Sequence, residues 1–288
     1  AAVTLKIVDQ QGNVMRTLVN NAARAAGQYT DTWDGKGDNE SIVKDGVYYF
    51  LVGYTAGDKS GTMDFRQGSQ FTEGTPSRSW SSAFDPFGGQ FVDVTYATTK
   101  PALVSLYFWV RDYSRSGSSI APVRTLFVRE PRAAGTHTEV WDGADDKGVV
   151  VGPADGGYPV TLWVYGLPDS AILITGNKPV ISGIKASPNY FRPAPNPYAA
   201  NGSTSTTVSF NLSKAVAQLE VKVINSEGIA IRNTILANFA AGSNSVNWDG
   251  KDLSGGVVMK GAYSISLTAV DAQGNRSLPM SAAVVVYY

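Results

Sequence analysis

Cysteine is absent from the 288 residues, and histidine occurs once, at His137. No disulfide framework, thiol nucleophile or thiolate metal site is therefore available. A Ser-His-acid triad would have to use His137, which lies between Thr136 and Thr138 on a strand-like stretch and reads as a solvent-facing strand residue. Charge is scarce as well. Charged residues make up 17 %, and 24 basic side chains balance 24 acidic ones. That balance argues against a nucleic-acid partner, which requires a basic face. No stretch approaches the roughly 18 apolar residues of a membrane span. No glycine-rich phosphate loop sits between a strand and a helix. These absences predict a protein that is not an enzyme and carries no cofactor and no metal.

What is present is repetition. Trp-Asp-Gly occurs three times, at Trp33-Asp34-Gly35, Trp141-Asp142-Gly143 and Trp248-Asp249-Gly250. An Ala-Gly pair precedes each, at Ala26-Gly27, Ala134-Gly135 and Ala241-Gly242, with its Gly six residues before the Trp every time. An Arg opens an apolar run further upstream, at Arg16, Arg124 and Arg232. A Gly and a Tyr close the phrase, at Gly46/Tyr48, Gly157/Tyr158 and Gly261/Tyr263. A repeat of this length means tandem domains rather than a solenoid of short units. The Trp ends a strand and places a large ring in a core. Asp-Gly turns the chain, because Asp bonds the backbone ahead of it and Gly accepts positive φ. The Tyr begins the next strand and can pin a corner through its hydroxyl.

The phrase Gly … Arg-Thr-Leu … Ala-Gly … Trp-Asp-Gly … Gly-x-x-Val … Gly-x-Tyr resembles the immunoglobulin-like domain of the flagellar hook-capping protein, the FlgD type. This module recurs near the C-termini of many secreted bacterial proteins. The third copy carries the resemblance best, through Gly228, Arg232, Ala241-Gly242, Trp248-Asp249-Gly250, Gly256, Val258, Gly261 and Tyr263. The second departs: Gly117 is set further from Arg124, and two extra residues separate Trp141 from Tyr158. The resemblance implies an all-β fold of tandem immunoglobulin-like β-sandwiches in three copies. It implies little about function, since the module serves as a spacer or assembly element in many contexts.

The predicted domains are residues 1–66, 67–178 and 179–288. Residues 3–8 alternate, with Val3, Leu5 and Ile7 on one face and Thr4, Lys6 and Val8 on the other, as a half-buried strand does. Val14 to Val19, Gln28 to Trp33 and Val47 to Thr55 are the next strands, and Thr62 to Phe65 closes the first sandwich. Residues 66–88 read as a linker or long entry segment, whose Phe71, Trp80, Phe84 and Phe87 lie against something. The run Pro188 to Pro197 reads as a stiff surface connection. The apolar stretch Ala282 to Tyr288 is the last strand of the third domain or reaches another subunit.

Ahead of the third Trp-Asp-Gly lie two further strands, Val180 to Lys185 and Thr206 to Leu212, with Asn196-Pro197-Tyr198 between them. The second copy has the same layout, with Asp85-Pro86-Phe87 before Gln90 to Tyr96. The first copy has neither strand, so the first sandwich is predicted to lack its N-terminal strands, leaving core and sheet edges open. Three explanations stand side by side. The chain is a fragment, or a neighbouring subunit donates strands, or the first domain is a smaller fold packed on the second.

Aligning the copies marks one candidate interface. Lys6 and Lys222 correspond to Tyr107, and Val8 and Ile224 to Trp109. Gly53 and Thr268 correspond to Trp163, and Thr55 and Val270 to Tyr165. Tyr107, Trp109, Trp163 and Tyr165 are thereby predicted to form an outward aromatic patch, as interaction sites do. A domain or subunit interface, a glycan platform and cover by residues 66–88 are the competing uses. The acidic loops Asp34–Asp38, Asp142–Asp146 and Asp249–Asp252 are read as Asp-Gly turns, with calcium as the alternative.

The expected function is a structural subunit of an extracellular bacterial filament or surface assembly. It would self-associate, or bind other surface proteins, through strand complementation and aromatic contacts. The alternatives are a surface adhesin or glycan-binding module, and the non-catalytic C-terminal part of a larger secreted enzyme. The opening Ala1-Ala2-Val3 resembles a mature chain after removal of a leader, which points to an extracellular or cell-surface location.

Overall fold

The computed structural model describes residues 1–67, 71–72, 78–80, 85–112, 119–152, 157–194 and 202–288. Among these residues the chain is built of strands, with one 3-10 turn at Phe65–Gln67 and no α-helix. Each of three successive units carries one Trp-Asp-Gly loop.

The first unit is a single sheet. β1 (Ala2–Asp9) pairs antiparallel with β2 (Val14–Ala23) and with β3 (Gly46–Ala56), and β4 (Lys59–Asp64) folds back on β3 as a hairpin. Thr62 to Phe65, expected to close a sandwich, therefore belongs mainly to a strand that widens the same sheet. The alternation read from residues 3–8 holds: Leu5 and Ile7 are buried on the inner face with Tyr48, and Val8 is buried on the outer face with Val47 and Tyr49.

The second unit has two sheets. β5 (Phe71–Thr72), β6 (Arg78–Trp80), β7 (Val92–Thr98), β8 (Ala102–Asp112), β9 (Ser119–Arg132), β10 (Gly135–Trp141) and β11 (Val160–Gly166) form the sheets β10-β7-β6 and β5-β11-β8-β9. The segment expected to be a linker thus supplies one edge strand to each sheet, because the backbones of β7 and β11 each offer an unfilled edge. The side chain of Phe71, and Phe84, lie outside the described residues. The two sheets enclose Val94, Leu106, Phe108, Trp141 and Leu162, each at most 1 % exposed.

β12 (Ile172–Ile174) then leaves the second unit and pairs with β3, so that the first unit's sheet has five strands in all.

The third unit comprises β13 (Ile181–Ser187), β14 (Tyr190–Phe191), β15 (Thr206–Leu212), β16 (Val216–Asn225), β17 (Ala230–Phe239), β18 (Gly242–Trp248), β19 (Gly261–Val270) and β20 (Met280–Val286). Its sheets run β13-β15-β18 and β14-β20-β19-β16-β17. The stretch expected to be a surface connection therefore contributes β14, parallel to β20; residues 195–201, with Asn196-Pro197-Tyr198, lie outside the described residues. The apolar run ending the chain is mostly β20, antiparallel to β19. Val208, Phe210, Leu219, Ile265 and Val284 fill the space between the sheets.

One predicted strand does not form. Gln28 to Trp33 has no strand pairing, whereas β10 and β18, which occupy the same place before Trp141 and Trp248, pair over seven residues with β7 and β15. The cause is the missing partner: among the described residues no strand equivalent to β7 or β15 stands beside it, so this backbone has no ladder to join. The first unit instead packs its outer face on the second. Val8, Val47 and Tyr49 form one cluster with Leu103 and Leu167, joined by Tyr165 and Leu173. The first unit thus rests on the second through its outer face, and among the described residues its inner face has no second sheet.

Candidate interaction surfaces

The three Trp-Asp-Gly loops share one geometry. Each Trp Nε1 donates to the carbonyl three residues on, Trp33 to Lys36 at 2.7 Å, Trp141 to Ala144 at 2.8 Å and Trp248 to Lys251 at 3.0 Å. Each Asp Oδ1 accepts the backbone N–H of that same residue. Gly35, Gly143 and Gly250 take φ of 80°, 79° and 72°, the left-handed region where a side chain is strained. The upstream Arg closes the loop from its neighbouring strand, Arg16 donating to Gly37 O, Arg124 to Asp145 O and Arg232 to Lys251 O. Each Tyr meets its Trp edge-on at 5.3, 4.9 and 5.4 Å.

The Tyr hydroxyl donates four residues back in the first and third units, to Lys44 O at 2.6 Å and Met259 O at 2.7 Å. In the second it reaches six residues back, to Gly152 O, which absorbs the two extra residues seen in the sequence. Burial, with Asp9 and Asp45 nearby, pushes the Tyr48 hydroxyl up to about 12, so it remains a donor at any physiological pH. The phrase is thus a folding cassette in which the Trp indole, the Asp carboxylate and the Tyr hydroxyl each bond backbone within the loop.

The second loop does more than its siblings. Asp142 is 2 % exposed, and its Oδ2 accepts the N–H of Ser281 on β20 at 2.5 Å. Gly148 O accepts the Ser264 hydroxyl, and Gly148 lies against Ile224. Ser264, Ser281 and Ile224 all lie on the outer face of the third unit's sheet. The second unit's loop therefore docks on the third unit's outer face. Burial lifts the Asp142 carboxyl above the usual carboxylate range, against the opposing pull of Ala144 N–H, Arg124 and Ser281. Leu278 packs into the second unit's core in return, and Phe91 and Val140 pack on the third's. Lys214 fixes the connection by donating to Asn177 O at 2.9 Å and Asp271 Oδ2 at 2.8 Å.

The predicted aromatic patch is divided. Tyr107, Trp109, Trp163 and Tyr165 do share the outer face of β8 and β11, where Trp163 opposes Ser105 and Tyr165 opposes Leu103. Tyr165 belongs to the contact with the first unit, and the Arg129 guanidinium lies 4.9 Å from its ring centre. Tyr107 and Trp109 are half-buried with ring centres 6.3 Å apart, and Trp163 is 48 % exposed. Among the described residues the Trp109 indole N–H is buried without a partner, a state that costs about 1–3 kcal/mol.

Among the described residues the first unit's inner face is the other open surface. Trp33 is only partly buried, while Trp141 and Trp248 are 0 % and 3 % exposed. Tyr54 and Met63, on the same face, are 41 % and 55 % exposed. Their counterparts Val164 and Ala269, equivalent to Tyr54, are sealed by a second sheet at 1 % and 0 %.

His137 is half-buried rather than solvent-facing. Its Nε2 lies 2.8 Å from Ala133 O, and its ring packs on Tyr96 at 5.5 Å. Beside it, Tyr96 donates to Glu139, which Arg132 also pairs at 2.8 Å. Among the described residues no group of three or more His, Cys, Asp or Glu side chains is arranged to hold a metal ion.

Residues 1–58 and 196–273 match the FlgD Ig-like domain family. These two segments are FlgD Ig-like domains. They correspond to the first unit and most of the third, and the second unit's cassette repeats their geometry. Among solved structures, FlgD from P. aeruginosa is 27 % identical over 28 % of this chain and 60 % of that one, with a TM-score of 0.26. The tetra-tandem repeat from the extending region of a large adhesion protein is 16 % identical over 100 % of this chain and 68 % of that one, at a TM-score of 0.26. Dimeric latent PorU from Porphyromonas gingivalis is 10 % identical over 99 % and 29 %, at a TM-score of 0.29. The chain thus spans 60 % of the length of the P. aeruginosa protein. No curated protein matches it.

Sequence reasoning found the cassette and the aromatic face. It missed the docking of Asp142 on Ser281, for which the sequence carries one faint signal: the outer-face positions of β19 and β20 near this point are Ser264, Ser281 and Ala283, small enough to admit a loop.

Proposed function

We propose that the chain is a non-catalytic structural subunit of an extracellular bacterial filament or surface assembly, in which an extended segment from a neighbouring subunit completes the first FlgD-type unit. The observation that carries this reading is the unpaired stretch Gln28 to Trp33 beside an open inner face. In the other units the same stretch is paired by a seven-residue strand that buries every second side chain, Val92, Val94, Tyr96 and Thr98 in β7, and Thr206, Val208, Phe210 and Leu212 in β15. The donor is therefore an alternating apolar strand, its backbone laddered to Gln28–Trp33 and its inward side chains set on Trp33, Val52 and Tyr54. Strand addition of this kind draws affinity from backbone hydrogen bonds and specificity from alternate side chains.

Electron microscopy of the purified chain tests this, alongside a variant in which a segment patterned on Thr206–Leu212 is fused ahead of Ala1 by a flexible linker. Regular filaments or sheets from the parent, and none from the fused chain at the same concentration, are expected. Protection of the Gln28–Thr32 amides from hydrogen exchange should appear only in the assembled parent. A parent that stays monomeric at every concentration, or a fused chain that assembles equally well, would sink the proposal. The half-exposed Trp163 favours a second reading, a glycan-binding adhesin module. Under it, Trp163→Ala abolishes binding on a glycan array and leaves assembly intact.

A further inference from the structure

The first unit's open face carries side chains that one kind of strand would satisfy. Counting back from the Trp of each cassette aligns the three units. Four residues before it stand Tyr29, His137 and Asn244. The side chain of each reaches the carbonyl four residues further back, Tyr29 to Ala25 O at 3.2 Å, His137 to Ala133 O at 2.8 Å and Asn244 to Ala240 O at 2.9 Å. Gln28 to Trp33 therefore presents Tyr29 as the two paired strands present their equivalents. Two residues before the Trp stand Asp31, Glu139 and Val246, and nine before it stand Arg24, Arg132 and Phe239.

In the second and third units these positions are matched by the fifth residue of the facing strand. Tyr96 of β7 lies opposite His137, with its ring centre 5.5 Å from the imidazole. Its hydroxyl donates to Glu139 Oε1 at 3.0 Å, the same oxygen that accepts Arg132 Nε at 2.8 Å. Burial, with Glu139 beside it, pushes the Tyr96 hydroxyl up, so it stays a donor. In the third unit the corresponding residue of β15 is Phe210, opposite Asn244 and 6.2 Å from the Phe239 ring, with Val246 packed on the same core. A charged pair at this place is met by tyrosine and an apolar pair by phenylalanine.

The first unit has the charged pair. Arg24 donates twice to Asp31, at 2.7 Å to each oxygen, and its guanidinium lies 4.6 Å from the Tyr29 ring centre. This contact holds the Asp31 carboxyl below its ordinary value. Each oxygen takes one of these N–H groups and keeps further acceptor capacity. On an open face such a pair contributes little to stability by itself. Under a strand it would be buried, and a phenylalanine closing over it would leave that acceptor capacity unmet, whereas a tyrosine hydroxyl would fill it.

We propose that the strand completing the first unit carries a tyrosine at the place of Tyr96, its ring on Tyr29 and its hydroxyl donating to Asp31, so that Arg24 and Asp31 select the donor strand. This rests on the strand-addition reading above and names the chemistry of the partner. The backbone ladder supplies affinity for any alternating strand, and this one position supplies specificity.

The test compares two fused chains. Each carries ahead of Ala1, on a flexible linker, a segment copied from Val92–Thr98, one as it stands and one with its tyrosine replaced by phenylalanine. Hydrogen exchange of the Gln28–Thr32 amides is the readout. Both segments should protect these amides, the tyrosine segment at least roughly tenfold more, as expected for a buried hydrogen bond to a charged group. Asp31→Glu, which restores the carboxylate of the second unit, keeps this preference. Arg24→Phe combined with Asp31→Val, which copies the third unit, abolishes or reverses it. Equal protection by the two segments, or a preference that survives the double variant, overturns the proposal and leaves strand addition standing. Protection by neither segment sinks the strand reading, and this inference with it.

Discussion

Replacing each repeat tryptophan by alanine measures how far each unit's core is closed. All three indoles donate one hydrogen bond to the carbonyl three residues on and meet a Tyr edge-on. Those losses are common to the three variants and cancel in the comparison. What differs is cover. Trp141 and Trp248 lie between two sheets, at 0 % and 3 % exposure, so truncation loses the transfer free energy of the whole ring and leaves a cavity. Such changes cost about 3–5 kcal/mol. Trp33 has a sheet on one side only. Its truncation loses the covered part of the ring and leaves an open notch, so the expected cost is about half as large, on the order of 2 kcal/mol.

Because the units need not unfold together, the assay is hydrogen exchange followed by mass spectrometry. Opening free energies are read from peptides of β1, β8 and β16 in a denaturant series. In assembled material the cost of Trp33→Ala should rise toward that of Trp141→Ala, since the incoming strand closes the notch. Equal costs for Trp33→Ala and Trp141→Ala in the monomer would refute the argument, because the first unit's core would then be sealed already.

Two further outcomes follow from the loops. Asp142→Asn leaves either Ala144 N–H or Ser281 N–H facing an amide instead of an oxygen, and should loosen the docked loop by about 1–3 kcal/mol, read as faster exchange at Ser281. Burial raises the Asp142 carboxyl, so its contribution is fullest below the ordinary carboxylate pKa and is lost as pH rises through the folded value. The Asn penalty should therefore shrink with rising pH, and a penalty that grows with pH would contradict the assignment. Gly250→Ala should destabilise more than Gly35→Ala in thermal unfolding. Both hold positive φ, at a cost of roughly 1–2 kcal/mol, but a Cβ at Gly250 would fall 2.3 Å from Pro193 Cγ, whereas at Gly35 the nearest atom is Ile174 Cδ1 at 3.8 Å. Equal losses would mean that the Pro193 contact yields freely.

The cassette was legible in the sequence because its interactions are local. Trp-Asp-Gly, its Asp turn, its positive-φ Gly and the Tyr corner all lie within a few tens of residues, and their spacing repeats. The two extra residues before Tyr158 were visible too, and their consequence is only a longer reach for one hydroxyl. Alternation in Val3–Val8 and Thr206–Leu212 settled which side chains face inward, since a strand has a period of two. The same logic placed Tyr107, Trp109, Trp163 and Tyr165 on one face.

Tertiary structure decided what local pattern cannot. Gln28–Trp33 reads as a strand, yet a strand exists only with a partner for its backbone, and that partner is set by residues far away in the chain. Residues 66–88 read as a linker because edge strands of two or three residues carry too little pattern to register, and only the open edges of β7 and β11 recruit them. The pairing of Ile172–Ile174 with β3 joins residues more than a hundred positions apart. Whether Tyr165 is buried and Trp163 open depends on where the first unit comes to rest on the second. Asp142, Asp34 and Asp249 share the Trp-Asp-Gly setting, but only Asp142 is buried, because its loop meets another unit's sheet. Local chemistry fixes each unit's loops, and long-range packing fixes which of their surfaces are left over.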